Sequence, residues 1–203
     1  MGKIIILNGA SSSGKTTLAQ KLQQVLPEPY LHIALDQYRD ALPAKYRGLN
    51  APADTTGSEG INVVPSLSEQ GKPRSPVEFG SYFDRVLASM RRSVAMMSED
   101  GLNVVVDDLL LKPEYLAHYA QLLAKKNAWL IKLHCADAVL EARESARVGR
   151  FPGTAVTQQK QVHEHVPTYD LTLDTDQLDP RQAAELVAQR LCEPPTALAN
   201  VGR

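Results

Sequence analysis

The sequence predicts an α/β domain in which five short parallel strands lie between helices, three layers deep. Three observations lead there. Apolar, largely β-branched runs recur at residues 3–7, 30–35, 103–108, 128–133 and 169–175, each with the composition of a strand covered on both faces. Stretches with helical spacing separate them, and strands alternating with helices imply a parallel sheet with right-handed crossovers. The first run opens directly into Gly9-Ala10-Ser11-Ser12-Ser13-Gly14-Lys15-Thr16, which satisfies G-x-x-x-x-G-K-[ST], and a helix follows it.

That motif makes specific physical demands. Gly9 lets the backbone turn and Gly14 lets it approach a phosphate, so the N–H groups from Ala10 through Ser11, Ser12 and Ser13 point inward. Lys15, read as exposed and without a core role, brings a point charge to the β- and γ-phosphates. Thr16 offers a hydroxyl to Mg²⁺. Thr17 starts a helix whose positive end faces the anion. Residues 9–17 are therefore the expected nucleotide site, and a chance Gly/Ser turn is set aside because strand and helix flank it.

The first helix runs to Val25-Leu26 and is broken by Pro27-Glu28-Pro29. The second strand stops at Asp36, and a short helix from Gln37 to Leu42 ends at Pro43. Residues 44–74 are rich in Gly, Pro, Asn, Ser and Asp, with one apolar stretch at 61–64. A loop of this length is a functional lid or binding loop, or else a disordered insert. Ser75-Pro76-Val77-Glu78 reads as a capping box. Phe79, Phe83, Val86, Leu87, Met90, Val94 and Met97 continue it as one amphipathic helix to Glu99, closed by Gly101. The third strand ends in Asp107 and Asp108. Helices over 113–126, 137–148, 154–166 and 180–192 complete the pattern, and the tail from Pro194 is expected to be loose. Ligands of such sheets bind at the carboxyl ends of the strands, so the phosphate loop, Asp36 and the Asp107-Asp108 pair share one rim.

Composition narrows the classes. The 203 residues suit one domain, 1–203, with a substrate-binding insert at about 44–75 and a lid at about 143–156. A net charge of −1 gives no footprint for nucleic acid or a membrane surface. No apolar run approaches a membrane span, and Met1-Gly2-Lys3 leads straight into a strand with no room for a signal peptide. Cys135 and Cys192 are far apart and form no C-x-x-C pair, so neither a disulfide framework nor a zinc site is expected and a reducing, cytoplasmic setting fits.

Each candidate for chemistry has a plainer alternative. Asp107 and Asp108 end the third strand, where a carboxylate would hold Mg²⁺ directly or through water, or would cap the next helix. Asp36 either accepts a proton from an attacking hydroxyl or caps the helix starting at Gln37. Arg39 and Asp40 pair with each other or touch substrate. Arg143, Arg147 and Arg150 recur at i, i+4, i+7 before a Gly-Pro-Gly-containing loop. They form a lid that meets transition-state charge, or a solvated face paired with Glu141 and Glu144. His163 and His165 read as surface residues, and Trp129 as core.

Taken together, IILNGASSSGKTT (4–17), VLPEPYLHIALDQYRDALP (25–43), VVVDDLLL (104–111), CADAVLEARESARVGRFPG (135–153) and VHEHVPTYDLTLDT (162–175) resemble the chloramphenicol phosphotransferase family. The resemblance implies a P-loop NTPase fold, adenylate-kinase-like, and transfer of a phosphate from ATP to a hydroxyl of a small molecule. Asp36 matches the family's proposed base, and Arg143, Arg147 and Arg150 match its lid arginines. Residues 47–74, where the acceptor should sit, depart most from the family pattern. Two other readings stand beside this one: a nucleotide-sugar or nucleoside kinase of the zeta-toxin type, and a slow nucleotide-hydrolysing switch. Asp36 separates the last from a kinase, because a switch needs no carboxylate at an acceptor position.

Overall fold

In the computed structural model, which describes residues 1–201, the elements run in the expected alternation. They are β1 (Ile4–Asn8), α1 (Lys15–Val25), β2 (Tyr30–Ala34), α2 (Leu35–Asp40), β3 (Arg47–Leu49), α3 (Thr56–Glu59), β4 (Ile61–Val63), β5 (Ser66–Leu67), β6 (Pro73–Arg74) and β7 (Val77–Phe79). Then follow α4 (Ser81–Glu99), β8 (Asn103–Asp108), α5 (Pro113–Leu123), β9 (Ala128–His134), α6 (Asp137–Ser145), α7 (Thr154–Glu164), β10 (Leu171–Asp174) and α8 (Pro180–Arg190).

The main sheet is parallel, in the order β10-β9-β1-β8-β2. Side chains of a strand alternate between faces, so each continuous apolar run serves two cores at once. Ile4, Ile6, Val104, Val106 and Leu130 meet α4 and α5 through Phe83, Leu87, Met90, Val94, Leu116 and Leu123. Ile5, Leu7, Val105, Trp129, Ile131 and Leu133 meet α1 and α8 through Leu18, Leu22, Ala184 and Val187. This is the three-layer αβα arrangement. β1 lies at the sheet centre with later strands on both sides, so strand order reverses there and a crevice opens beyond its carboxyl end, where the phosphate loop begins.

The expected long loop is instead a small folded unit. β3 pairs parallel with β4, β4 pairs antiparallel with β7, and β5 and β6 form a separate two-stranded ribbon. The buried Asn62 amide braces the neighbouring turn, accepting from Ala51 N–H at 2.9 Å and donating to Ala51 O at 3.3 Å. Tyr46 stacks on Tyr82 at 4.5 Å between ring centroids, which fastens the unit to α4.

The capping box expected at Ser75–Glu78 is a correction. Val77–Phe79 is a strand, α4 starts at Ser81, and the Ser75 hydroxyl donates to Pro152 O at 2.8 Å. Phe79 still contacts Phe83, edge-to-face at 5.0 Å, so a strand residue continued the helical apolar stripe by packing against it. The tail is also not loose. Ala197 and Leu198 are buried against the α4–α5 face, and Thr196 N–H donates to Asp170 Oδ1 at 2.7 Å.

Candidate active site

The phosphate loop has the shape its glycines require. Gly14 has φ 96°, a conformation that L side chains rarely adopt, and a Cβ on Gly9 would lie 2.7 Å from both Leu133 O and Ser13 Oγ. Ser12 takes φ 61° without being glycine, a strained geometry of the kind kept at functional sites. The first turn of α1 holds no acidic residue, so its positive end is left for an anion. Lys15 is buried rather than exposed: its Nζ donates to Gly9 O at 2.8 Å and Ala10 O at 2.9 Å and lies 3.6 Å from Asp107 Oδ1. The Ser12 and Ser13 hydroxyls are buried without a partner among the described residues. A loop carrying orphaned hydroxyls, a lysine and a helix start fits a bound polyphosphate.

The two aspartates at the end of β8 point to opposite faces of the sheet, and this separates them. Asp107 accepts the Thr16 hydroxyl at 2.7 Å, which brings a carboxylate and a hydroxyl together beside Lys15. Thr16 and Asp107 thus fit a Mg²⁺ ion that keeps most of its ligands as water and phosphate oxygens. Among the described residues no cluster of three or more His, Cys, Asp or Glu could cage a metal by itself. Asp108, expected as the other metal candidate, is not brought to the loop. It is 0% exposed, and its Oδ2 takes Arg91 Nη2 at 3.0 Å, Arg91 Nε at 3.2 Å and the Tyr119 hydroxyl at 2.9 Å. Its Oδ1 caps the Leu109 N–H at 2.8 Å. Burial raises the Tyr119 hydroxyl pKa well above the ordinary value, and Asp108 beside it adds to the effect, so the tyrosine stays a donor.

Asp36 lies in the first turn of α2 and does not cap it. Gln37 Oε1 accepts the Ala34 N–H at 2.9 Å, while Asp36 takes Arg39 on Oδ1 at 2.7 Å and Arg150 on Oδ2 at 3.1 Å. Its side chain remains 48% exposed toward the cavity. Arg39 also clasps Asp40, so the mutual pairing of those two residues is real.

The three lid arginines do not share a helix face. α6 ends at Ser145, and Arg147 and Arg150 sit on the turn beyond it. Arg143 is tied to Thr175, donating to its carbonyl at 2.7 Å and its hydroxyl at 3.2 Å. Glu144 pairs with none of the arginines. Its buried carboxylate accepts from Gly153 N–H at 2.7 Å and Ala155 N–H at 2.8 Å, closing the turn that carries Arg147 and Arg150 onto the start of α7.

These parts enclose one cavity of about 910 Å³. Ser11, Ser12, Gly14, Lys15, Thr16, Thr17 and Asp107 line one end. Leu35, Ile61, Val63, Val77, Phe79 and Leu109 line the other, with Asp36, Arg39 and the lid arginines between. Gly9, Ala10 and Ser13 shape the loop from beneath. The apolar wall was not legible in the sequence, since four of its residues come from β4 and β7, inside and just beyond the apparent loop. Arg47, which reaches Asp40 O and Leu42 O, was missed as well. His163 is no surface residue: its Nδ1 lies 2.8 Å from the Tyr169 hydroxyl, and burial with nearby Lys132 lowers its pKa to about 4, so it is neutral at neutral pH.

Fold and site together define a kinase-type phosphotransferase on the P-loop α/β frame. An unliganded sugar kinase from Janibacter sp. HTCC2649 superposes with TM-score 0.63 at 18% identity, over 98% of this chain and 99% of that one. The Mycobacterium tuberculosis APS kinase, solved with AMPPNP and APS, gives TM-score 0.63 at 16% identity, over 95% and 98%. Those likenesses establish the fold. The chain itself belongs to the chloramphenicol phosphotransferase-like protein family, whose model matches residues 2–192. It is 28% identical over 184 residues to a Mycobacterium tuberculosis protein provisionally named an O-phosphotransferase, covering 86% of this chain and 75% of that one. No helix among the described residues is long and apolar enough to cross a membrane.

Proposed function

We propose that the protein is a Mg-ATP-dependent kinase that phosphorylates a hydroxyl of a small molecule. One observation carries the reading: a single cavity runs from the phosphate loop to an apolar wall, with the Asp36 carboxylate at the junction. A slow switch would need no apolar chamber beyond the phosphates and no carboxylate facing it. The acceptor is a small alcohol with an apolar body, the class that wall accommodates; nucleic acid and membranes are not its partners.

In this mechanism Lys15 and the loop amides, apart from the Ser11 N–H that Gln158 holds at 2.9 Å, bind the β- and γ-phosphates. Mg²⁺, held through Thr16 and Asp107, would supply charge neutralisation between those phosphates when bound. Arg150 exchanges Asp36 for phosphoryl oxygens, which frees the carboxylate to take the hydroxyl proton as the acceptor oxygen bonds to phosphorus and ADP departs. Arg143, fixed by Thr175, and Arg147 face the same cavity and meet the charge of the transferring group. Screening small alcohols for ATP-dependent phosphorylation by mass detection tests the proposal. Mass gains corresponding to one phosphate support it, and ATP hydrolysis without transfer to any alcohol overturns it.

A further inference from the structure

The helix after the lid carries two adjacent glutamines, Gln158 and Gln159, both buried. Successive helical residues point about 100° apart, so the two serve different surroundings. Gln159 donates from Nε2 to Cys135 O and meets His134 Nδ1 at 3.1 Å, an internal bracket to the end of β9. Gln158, 3% exposed, lines the cavity and accepts the Ser11 N–H on Oε1 at 2.9 Å. A backbone N–H needs an acceptor, so this contact fixes which end of the side-chain amide is oxygen. The other end is then committed too. Its N–H donors have no protein acceptor among the described residues, and the nitrogen is not among the sealed, unpartnered atoms. The nearly enclosed side chain therefore keeps its donor face for the cavity, beside the loop and the lid turn.

We propose that Gln158 is a substrate-contacting residue that donates to an oxygen of the γ-phosphate. The inference rests on the kinase reading above and deepens it. The Ser11 contact sets the rotamer, and the free N–H pair meets the terminal phosphate. Gln158 adds a neutral side-chain donor beside Lys15 and the lid arginines, so it can orient a phosphoryl oxygen without drawing a counter-ion. Because α7 follows directly on the Glu144-closed turn that carries Arg150, this donor and Arg150 are held on adjoining segments beside the loop.

The experiment measures binding of Mg-ADP and of the imido analogue of Mg-ATP by calorimetry, in wild type, Gln158→Met and Gln158→Glu, with thermal melts as a folding check. No acceptor is needed. In Gln158→Met the preference for the analogue over ADP should fall about 3- to 10-fold, the worth of one hydrogen bond, with ADP affinity within about twofold of wild type. Gln158→Glu keeps an acceptor for Ser11 but replaces the donor with a negative charge, so the preference should fall further. Equal weakening of both nucleotides would mean that Gln158 only supports the loop. An unchanged preference in both variants overturns the inference alone, whereas a wild type that binds neither nucleotide overturns the kinase reading with it. Should Gln158→Met fail to fold, the Gln158→Glu ratio decides.

Discussion

The phosphate loop and the insert over residues 44–79 face each other across one cavity, and they are built in opposite ways. The loop hangs from β1, whose neighbours on both sides are hydrogen-bonded strands, and its shape comes from local backbone chemistry at Gly9, Ser12 and Gly14. The insert has strands of two or three residues, a braced turn at Asn62 and a handful of apolar side chains shared with α4. In the proposed reading, a fixed loop facing a lightly built wall divides the labour: the loop would meet the nucleotide, while the wall would vary with the acceptor. Asp36 sits at the seam, joined to the lid through Arg150.

The seam should give the largest effect. Asp36→Asn keeps size and shape but removes the proton acceptor, and phosphorylation should fall about 10²–10⁴-fold with nucleotide affinity nearly unchanged. Wild-type transfer in this variant would sink the catalytic role; Asp36 is not the cap of α2, since it lies inside the first turn after Ala34 with its oxygens held by Arg39 and Arg150.

On the loop side, Lys15→Ala should lower transfer by roughly 10²–10³-fold or more, in line with removing one key donor to developing charge, and should weaken nucleotide binding. Since Lys15 also staples Gly9 and Ala10, a small drop in melting temperature is expected as well. If turnover were normal and only acceptor KM moved, the assignment of the two ends would be reversed.

On the insert side, Phe79→Leu keeps apolar bulk but loses the edge-to-face contact with Phe83. Stability should fall by about 0.5–1.5 kcal/mol. Acceptor KM should rise while ADP affinity, read by calorimetry, stays put. A change in ADP affinity equal to the change in KM would show that the two ends are not separable.

The smallest effect concerns the bond between insert and lid. Ser75→Ala leaves Pro152 O without its donor and should cost about 0.5–1.5 kcal/mol in denaturant unfolding. If the contact also steadies Arg150, kcat should fall slightly with nucleotide affinity unchanged; an unaltered kcat would make it a purely structural tie.

The sequence by itself determined the central parallel sheet, its flanking helices and the phosphate loop, because these depend on local signals: apolar runs, helical spacing, and glycines where the backbone must turn. It also placed the phosphate loop, Asp36 and the Asp107-Asp108 pair near one rim, since strand ends in a parallel sheet lie together. Tertiary structure alone decided the rest. Asp107 and Asp108 are neighbours of one residue type, and only the pleat sends the first to Thr16 and the second to Arg91 and Tyr119. Val77–Phe79 carried a helix signal, yet long-range pairing with Ile61–Val63 made it a strand. Gln158 gave no signal at all, for its meaning lies in a contact with Ser11, far away along the chain, that no local pattern encodes. Local chemistry fixes how a segment can bend, but the partner it meets is set by the packing of the whole chain.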